Sequence, residues 1–376
     1  MRIALITPGF SAHAGHWAIP ALEVYATRLA RRHEVHVFSL RYPPPGTYAF
    51  GGLAHTAIGG GQRGGAASLR IMGRAAAAVR RAHQRQPFDV LHAFWADEAG
   101  FVAAWVGRWL KMPALISCAG GELVWFPAHG YGTQGSLFRR WLVRTALRHA
   151  TLVTTGSRYQ LGLAAAQGID AHRLRLAPLG MDCAHFQPPT APPPLPPTLV
   201  QAASLTPVKG QATLLAVLAD VRRHLPTTRL LLAGDGPLRA RLQQQAAEMG
   251  LGSCISWQDR VGFTQMPAVF RQAHVYVQTS IHEAQGMAVL EAMACGVPAL
   301  GTPVGVIPEI AAAPPTDEPA ALAAHIVALL ADSAHYVYQR ARARQLAQTH
   351  YDLPVAMQRF QDLYYEATST KSPIPT

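Results

Sequence analysis

Residues 275–301, VYVQTSIHEAQGMAVLEAMACGVPALG, contain the pattern that decides the fold. Val275–Thr279 is an apolar run typical of a buried strand, and Pro298–Gly301 predicts a second one. Between them, Gly286 predicts a strand-to-helix turn, and the residues from Met287 to Cys295 predict a helix. This strand–helix–strand order favours a parallel sheet covered by helices.

The same alternation occurs on both sides of a proline-rich stretch. Further strands are predicted at Ile3–Thr7, His36–Leu40, Val90–Ala93, Pro113–Ser117, Leu152–Thr155, Thr198–Ala202 and Arg229–Ala233. Helices are predicted at Ala18–Arg31, Gln211–Arg223, Leu238–Met249 and Pro354–Ala367. The fold class is therefore α/β, with two doubly wound, Rossmann-like units facing a central cleft. In such sheets, ligands bind beyond the carboxyl ends of the strands.

Proline density sets the predicted domain boundaries. The run at 188–197 can form neither a helix nor a central strand, so it predicts a stiff linker. We assign 1–187 to a first domain, 198–349 to a second, and 350–376 to a helix returning to the first domain, plus a tail. Residues 43–65 are rich in Gly and Pro and predict a long mobile loop.

Length and composition also favour a two-domain globular protein. The chain has 376 residues, of which 49% are hydrophobic. Its first residues, up to Gly9, predict a buried strand and a turn, not a signal peptide. The four cysteines are scattered, which indicates reduced thiols and a cytoplasmic location.

The net charge of +12 is concentrated in the first half of the chain. Residues 1–187 hold 20 Lys/Arg and 8 Asp/Glu, whereas the remainder holds 13 of each. One interpretation is a solvated Arg-rich surface; the other is a patch that faces anionic lipid or an anionic acceptor. Two basic, partly apolar helical stretches, 69–85 and 139–148, fit either interpretation. No recognition motif indicates nucleic acid.

Two carboxylates, Glu283 and Glu291, lie on either side of Gly286. The start of the predicted helix offers unpaired backbone N–H groups to a diphosphate. Glu291 lies where it could accept hydrogen bonds from ribose hydroxyls, and Glu283 could face a sugar. The alternative is a solvated loop acid and a surface helix acid, but the context of Gly296, Pro298 and Pro308-Glu309 favours a site.

These residues, taken together, resemble glycosyltransferase family 4, the retaining enzymes with the GT-B fold. The resemblance covers nearly the whole chain. It rests also on Thr7-Pro8-Gly9 with Gly15, Thr154-Thr155-Gly156-Ser157, Pro178-Leu179-Gly180-Met181-Asp182, Ser204-Leu205-Thr206-Pro207-Val208-Lys209-Gly210 and Gly234-Asp235-Gly236.

The resemblance implies positions for both substrates. Lys209 and Glu283 are the implied catalytic residues, and Lys209, one of three lysines in the chain, would meet phosphate. The implied donor-binding residues are Gly15, Ser204, Lys209, Gly234, Arg260, Glu283, Gly286, Met287 and Glu291. On the acceptor side the candidates are His16, Gly120, Gly121 and Glu122.

The chain departs from the family pattern at three positions. The family usually has an arginine at Ser204, a histidine at Ala119 and a glycine at His16. The first change removes a positive charge from the diphosphate site. A catalytically silent subunit of the same fold is therefore one alternative, and a nucleotide-sugar 2-epimerase is another. Epimerases of that kind lack the Pro178–Asp182 motif.

Neither Asp-x-Asp nor His-x-x-x-His occurs, so we expect no metal and no cofactor. The expected donor is a UDP-, GDP- or ADP-sugar. The expected acceptor is a hydroxyl group of a glycolipid or a polysaccharide precursor, lipid-linked acceptors included. The resemblance implies same-face attack with no secure protein nucleophile. We expect a cytoplasmic protein, peripheral at the inner face of the plasma membrane if the basic patch meets lipid.

Overall fold

The computed structural model describes residues 1–13, 16, 18–62, 64–191 and 193–369. The chain divides into two compact units, Met1–Gly180 with Ala356–Thr376 and Met181–Val355. The first unit therefore ends at Gly180 and not at residue 187, because Met181 and Phe186 are buried in the core of the second unit. Of the predicted linker and tail, Pro192 and residues 370–376 lie outside the described residues.

The first unit is a sheet with helices packed on it. Its strands are β1 (Arg2–Gly9), β2 (Glu34–Tyr42), β3 (Gly46–Phe50), β4 (Leu53–Ala57), β5 (Val90–Phe94), β6 (Ala114–Cys118), β7 (Leu152–Thr155) and β8 (Leu174–Leu176). Its first helices are α1 (Pro20–Leu29), α2 (Ala66–Arg85), α3 (Glu98–Leu110), α4 (Leu137–His149) and α5 (Arg158–Ala165). The strand order is β3-β4-β2-β1-β5-β6-β7-β8.

The prediction of a long mobile loop at 43–65 was wrong, because this stretch contains the antiparallel strand pair β3–β4. Gly51 and Gly52 have φ values of 58° and 79°, which suit a two-residue hairpin turn. The strand β4 then pairs in parallel with β2 and buries Leu53 and His55. The prediction gave weight to Gly and Pro density and overlooked the alternating burial of β4.

The second unit has a smaller parallel sheet. Its strands are β9 (Thr198–Ala202), β10 (Arg229–Ala233), β11 (Ile255–Gln258), β12 (Val275–Gln278) and β13 (Ala299–Gly301), in the order β11-β10-β9-β12-β13. Its helices are α6 (Gln211–His224), α7 (Arg239–Glu248), α8 (Met266–Phe270), α9 (Met287–Ala294), α10 (Ile307–Ile310), α11 (Pro319–Ala331) and α12 (Ser333–Leu346). The helix predicted after Gly286 is confirmed as α9.

The last helix, α13 (Leu353–Ser369), belongs to the first unit from Ala356 onward. Side-chain alternation along β5 separates the two helical layers of that unit. Leu91 and Ala93 lie in the core shared with α2, α3 and α4. His92 points the other way, and its Nδ1 lies 2.7 Å from the hydroxyl of Tyr364 on α13.

Among the described residues, no single helix is long and apolar enough to cross a membrane. One bent pair, Pro319–Ala331 with Ser333–Tyr351, meets the length and composition test only when its two parts are taken together. Within this pair, Leu322, Ile326 and Leu329 are buried in the core of the second unit.

Candidate active site

The loops that follow β9 and β12 are joined at the carboxyl edge of the second sheet. The backbone N–H of Ile281 donates to the Val208 carbonyl at 2.8 Å, and the Thr279 hydroxyl donates to the Lys209 carbonyl at 3.3 Å. Gly210 has a φ of 64°, and a Cβ there would lie 2.0 Å from the Thr279 oxygen. Only glycine allows this close approach, which places Lys209 beside the loop after β12.

Lys209 and Glu283 meet across this junction. The Lys209 Nζ donates to Glu283 Oε1 at 2.5 Å, and the hydroxyl of Ser280 donates to the same oxygen at 2.9 Å. The two charged side chains are 23% and 17% exposed, so the pair is reachable from solvent. A charge-assisted hydrogen bond of this kind fixes both groups in place until an anion competes for the ammonium.

The helix α9 begins immediately after this pair. Gly286, its N-cap, has a φ of 98°, and a Cβ there would lie 3.1 Å from Gln278 Oε1. The side chain of Gln278 donates to the Val304 carbonyl at 3.2 Å and so ties this turn to the next loop. The amide of Met287 is the first of the helix and has no acceptor within it, which makes this end attractive to an anion.

Glu291 lies one turn along α9. Burial raises the pKa of its carboxyl to about 7, although the side chain still touches solvent. Its carboxyl has no hydrogen-bond partner among the described residues. A carboxyl group held in this way has free oxygens with which to accept hydrogen bonds from a bound hydroxyl.

The loops after β9 and β10 are joined in a similar way. A Cβ on Gly234, whose φ is 145°, would lie 2.0 Å from the Ala203 carbonyl oxygen. Ser204 is exposed next to it, and its hydroxyl lies 3.5 Å from that of Thr206. Arg260 is exposed in the loop after β11. The structure thus places all these predicted donor residues in loops at the carboxyl edge of one sheet, or on the helix that follows.

The acceptor-side candidates lie at the corresponding edge of the first sheet. His16, after β1, accepts a hydrogen bond from the backbone of Ala12 at 3.2 Å, and its Nε2 lies 2.8 Å from the Tyr42 hydroxyl at the end of β2. Gly15, the remaining donor candidate, lies outside the described residues. His16 therefore has polar partners within its own unit.

Glu122 has an environment that the sequence did not predict. Its side chain is 1% exposed, and its carboxyl accepts hydrogen bonds from the backbone N–H groups of Ala119 and Gly120, at 2.8 and 2.7 Å. Burial raises the pKa of this carboxyl to about 7, with the nearby Asp97 carboxyl as a further cause. Glu122 holds its own loop, so direct contact with an acceptor would first have to break these hydrogen bonds.

The glycines of this loop are needed because aromatic rings lie against them. A Cβ on Gly120 would lie 2.7 Å from Trp95 Nε1, and one on Gly121 would lie 2.7 Å from the Tyr131 ring. Trp95 itself has a positive φ of 70°, which is rare for a bulky residue. Strain of this kind is common at functional sites.

Sequence reasoning did not select Trp95 or Asp97 for the acceptor side. Asp97 is the N-cap residue of α3, and burial, followed by the Glu98 charge, raises the pKa of its carboxyl to about 6. The available signal was the position of both residues directly after β5, at the carboxyl edge. Among the described residues, no group of three or more His, Cys, Asp or Glu side chains is arranged to hold a metal.

Two family models match the chain. Residues 186–346 match the model described as glycosyl transferases group 1, and residues 20–180 match the glycosyl transferase 4-like domain. Together they cover most of the chain. The chain belongs to glycosyltransferase family 4.

Curated relatives of this family-4 member match over part of their length. It is 30% identical over 211 residues to a GDP-mannose-dependent alpha-(1-6)-phosphatidylinositol monomannoside mannosyltransferase of Mycolicibacterium smegmatis, covering 51% of this chain and 55% of the relative. It is 29% identical over 144 residues to one of the subunits of phosphatidylinositol N-acetylglucosaminyltransferase from Arabidopsis thaliana, covering 38% of this chain and 32% of the relative. The chain thus spans only part of the length of these relatives.

Solved structures match this family-4 member over nearly its whole length. Sucrose-phosphate synthase from Thermosynechococcus elongatus is 21% identical, with a TM-score of 0.78, covering 99% of this chain and 100% of that one. Anabaena HepE, solved in complex with UDP-glucose, is 18% identical, with a TM-score of 0.74, and the match covers 97% of this chain and 100% of HepE. At this level of identity the likeness concerns the fold, and it confirms the predicted GT-B class.

Proposed function

We propose that this chain is a retaining glycosyltransferase that transfers a hexose from a nucleoside-diphosphate sugar to a hydroxyl group without a metal ion. The observation that carries the proposal is the contact between Lys209 and Glu283 beside the first amides of α9. An ammonium and a helix N-terminus, brought together by two hydrogen-bonded loops, suit a diphosphate. A carboxylate next to them suits the hydroxyls of the sugar.

In the proposed step, the enzyme acts mainly by stabilising the leaving group. As the bond between the sugar and the diphosphate breaks, negative charge grows on the diphosphate. The ammonium of Lys209 and the amide of Met287 stabilise that charge, since preorganised donors act where charge develops. In the absence of donor, Glu283 holds the ammonium in place; with donor bound, it is free to accept hydrogen bonds from sugar hydroxyls. Glu291 would accept hydrogen bonds from the ribose.

The proposed donor is a UDP-, GDP- or ADP-sugar, and the proposed acceptor is a hydroxyl of a glycolipid or a polysaccharide precursor. The names of two relatives support this range, because one is GDP-mannose-dependent and both concern phosphatidylinositol. A HepE structure contains UDP-glucose. We also propose a cytoplasmic location, where nucleotide sugars are available.

A silent subunit that binds a nucleotide sugar is the second candidate. It is favoured by the exposed Ser204, which leaves the site without the arginine usual in the family. The two candidates separate in one experiment. Both predict that a nucleotide raises the melting temperature, since a ligand that binds the native state stabilises it. Only the enzyme predicts release of UDP, GDP or ADP from the matching sugar when an acceptor is present.

The decisive variant is Lys209→Ala. We expect it to lower kcat by about a hundredfold or more, because it removes a donor to the developing charge. The measurement is nucleotide release from UDP-, GDP- and ADP-sugars, after a melting-temperature screen has identified the bound base. Lys111→Ala is the matched control, because Lys111 is the other lysine among the described residues and caps α3, outside the second unit. Equal kcat for both variants would refute the proposed role of Lys209.

A further inference from the structure

The helices α2, α3 and α4 form one layer of the first unit, with α3 packed against both neighbours. They carry five, one and four arginines respectively, and a single acidic residue, Glu98. All of these arginines except Arg140 are exposed. Glu98 is neutralised by Arg41, whose Nε donates to its carboxylate at 2.8 Å. The outer surface of the layer, which we call the basic face, is therefore strongly positive.

Large apolar side chains protrude from the same basic face. Trp105 and Trp109 on α3 are 53% and 56% exposed, and Trp141 on α4 is 51% exposed. Leu137, in the first turn of α4, is 79% exposed. The ring of Phe101 lies 6.0 Å from that of Trp105 and 5.2 Å from that of Trp141, so the aromatic surface continues from α3 to α4.

A groove of about 620 Å³ lies between α2 and α3. Its wall on α3 contains Trp105 and Trp109, and Arg80 lies with its guanidinium 4.3 Å from the ring centroid of Trp109. Arg108 also lines the groove. Apart from Arg80, the residues of α2 that line the groove are small, namely Gly73, Ala76 and Ala77, and this leaves space between the two helices.

We propose that the basic face docks on an anionic phospholipid bilayer and that the groove takes an acyl chain. Exposed tryptophans have an apolar body and a polar N–H, the combination that suits the boundary between headgroups and hydrocarbon. The surrounding arginines meet lipid phosphates and can extend their apolar stems along the bilayer surface. Arg80 and Arg108 both line the groove, so two guanidinium groups are available to a lipid phosphate whose acyl chain enters it.

The charge and the shape of the basic face favour this occupant over two others. A second copy of the chain would bring like charges together across a two-fold interface, which disfavours a dimer through this surface. Nucleic acid would use the arginines and stacking on the rings. It would make no use of Leu137 or of the apolar groove. A bilayer would contact the arginines, the exposed apolar side chains and the groove.

The basic face belongs to the first unit and the donor loops belong to the second, and the test of the basic face does not depend on the proposed transferase activity. The full chain is sedimented with vesicles of phosphatidylcholine alone or mixed with phosphatidylglycerol, from about 0.05 M to about 0.5 M salt. We expect binding to the mixed vesicles that weakens with salt, little binding to phosphatidylcholine, and a tryptophan emission shift on binding. Arg74→Glu with Arg144→Glu should lower the partition coefficient by about 30-fold or more at low salt.

A second variant separates insertion from charge attraction. Trp109→Ala with Trp141→Ala should lower the partition coefficient at low and at high salt, because it removes apolar contact that salt does not screen. Matched controls lie on the second unit: Val337→Ala with Tyr338→Ala removes two exposed apolar side chains from α12, and Arg229→Glu with Arg241→Glu reverses two exposed arginines. Both controls should bind vesicles like the unmodified chain.

Three outcomes of the vesicle measurements alone would overturn the proposal. They are no binding of the unmodified chain to mixed vesicles at low salt, equal loss of binding in the controls, and unchanged binding of the tryptophan variant. RNA that displaces the chain from mixed vesicles at the higher salt would assign the surface to nucleic acid instead. Unchanged melting temperatures of the variants show that they fold. Their nucleotide-induced shift reports the donor site separately, so failure of one proposal leaves the other standing.

Discussion

Gly210 shows how a single residue without a side chain positions the proposed phosphate site. It follows Lys209, has a φ of 64°, and packs against the Thr279 carbonyl. An alanine there meets both a disfavoured backbone conformation and a Cβ contact of 2.0 Å. We expect Gly210→Ala to lower the free energy of unfolding by about 2 kcal/mol or more. Urea unfolding measures this, and nucleotide-induced melting shifts should weaken in parallel, because the loop must move.

Gly162→Ala is the matched control for this prediction. Gly162 lies within α5, has no positive φ, and has open space where a Cβ would project. Alanine there should be neutral or stabilise by up to about 1 kcal/mol, because glycine is a poor helix former. If the two substitutions change stability equally, the steric account of Gly210 is wrong.

The roles proposed for single residues follow from the sequence to different degrees. Gly286 and α9 were predictable, because the turn and the helix are local in the chain. The contact between Lys209 and Glu283 was not, since 74 residues separate them and only the adjacency of β9 and β12 brings them together. The burial of Glu122 was equally hidden, because it depends on backbone amides that turn back toward its own carboxyl.

Among the elements, α13 is attached to the first unit by a buried polar network. The Tyr364 hydroxyl lies 2.6 Å from that of Tyr25 on α1 and 2.7 Å from Nδ1 of His92. The other ring nitrogen of His92 lies 2.8 Å from the Ser117 hydroxyl, which lies 2.6 Å from that of Thr154. The network therefore continues from α1 and α13 across three neighbouring strands.

Removing one hydroxyl from this network leaves buried groups without a partner. We expect Tyr364→Phe to lower the free energy of unfolding by about 1–3 kcal/mol and to speed amide hydrogen exchange in α13. Tyr365→Phe is the matched control on the same helix, because Tyr365 is 50% exposed, and it should change neither quantity. Equal exchange rates in α13 for the two variants would show that apolar packing alone holds the helix.

At the level of elements, prediction worked where the pattern is periodic and failed where turn residues dominate. The strands from β5 to β7 are short apolar runs, and the sequence places them to within a residue. The β3–β4 hairpin was missed because Gly51-Gly52 was counted as loop composition and not as a turn. The basic face was foreseen only in α2 and α4. The part played by α3 depends on its packing between them.

At the scale of the whole molecule, several carboxyls and several histidines among the described residues have pKa values that burial shifts in opposite directions. Burial raises the pKa of three carboxyls to about 6 or 7, those of Asp97, Glu122 and Glu291. It lowers the pKa of four imidazoles to about 3 or 4, those of His36, His55, His92 and His274. The carboxyls therefore favour the folded state at low pH, and the imidazoles favour it at high pH.

The signs follow from proton linkage. For the carboxyls the folded-state pKa exceeds the unfolded one, so their contribution to stability is complete below about pH 4 and is lost as the pH rises to about 7. For the histidines the folded-state pKa is the lower one. Their contribution is present above about pH 6.5 and is lost as the pH falls toward 4. The two slopes oppose each other between about pH 4.5 and 6.5, so in this range the carboxyls offset part of the pH dependence that the histidines give.

Glu291→Gln should remove the contribution of one carboxyl to the pH dependence of the free energy of unfolding. Glutamine keeps the shape of the side chain and stays neutral at every pH. At pH 8 we expect the free energy of unfolding of the variant to exceed that of the unmodified chain by about 1–2 kcal/mol, a value lowered to allow for the solvent contact of the native carboxyl. Near pH 4.5 we expect the two free energies to be equal. Urea unfolding at several pH values measures the difference. Glu248→Gln, at an exposed position on α7, should show no such trend. A difference for Glu291→Gln that does not vary with pH would mean that the native carboxyl is not held in its protonated form by burial, and the opposing-slope account would fail with it.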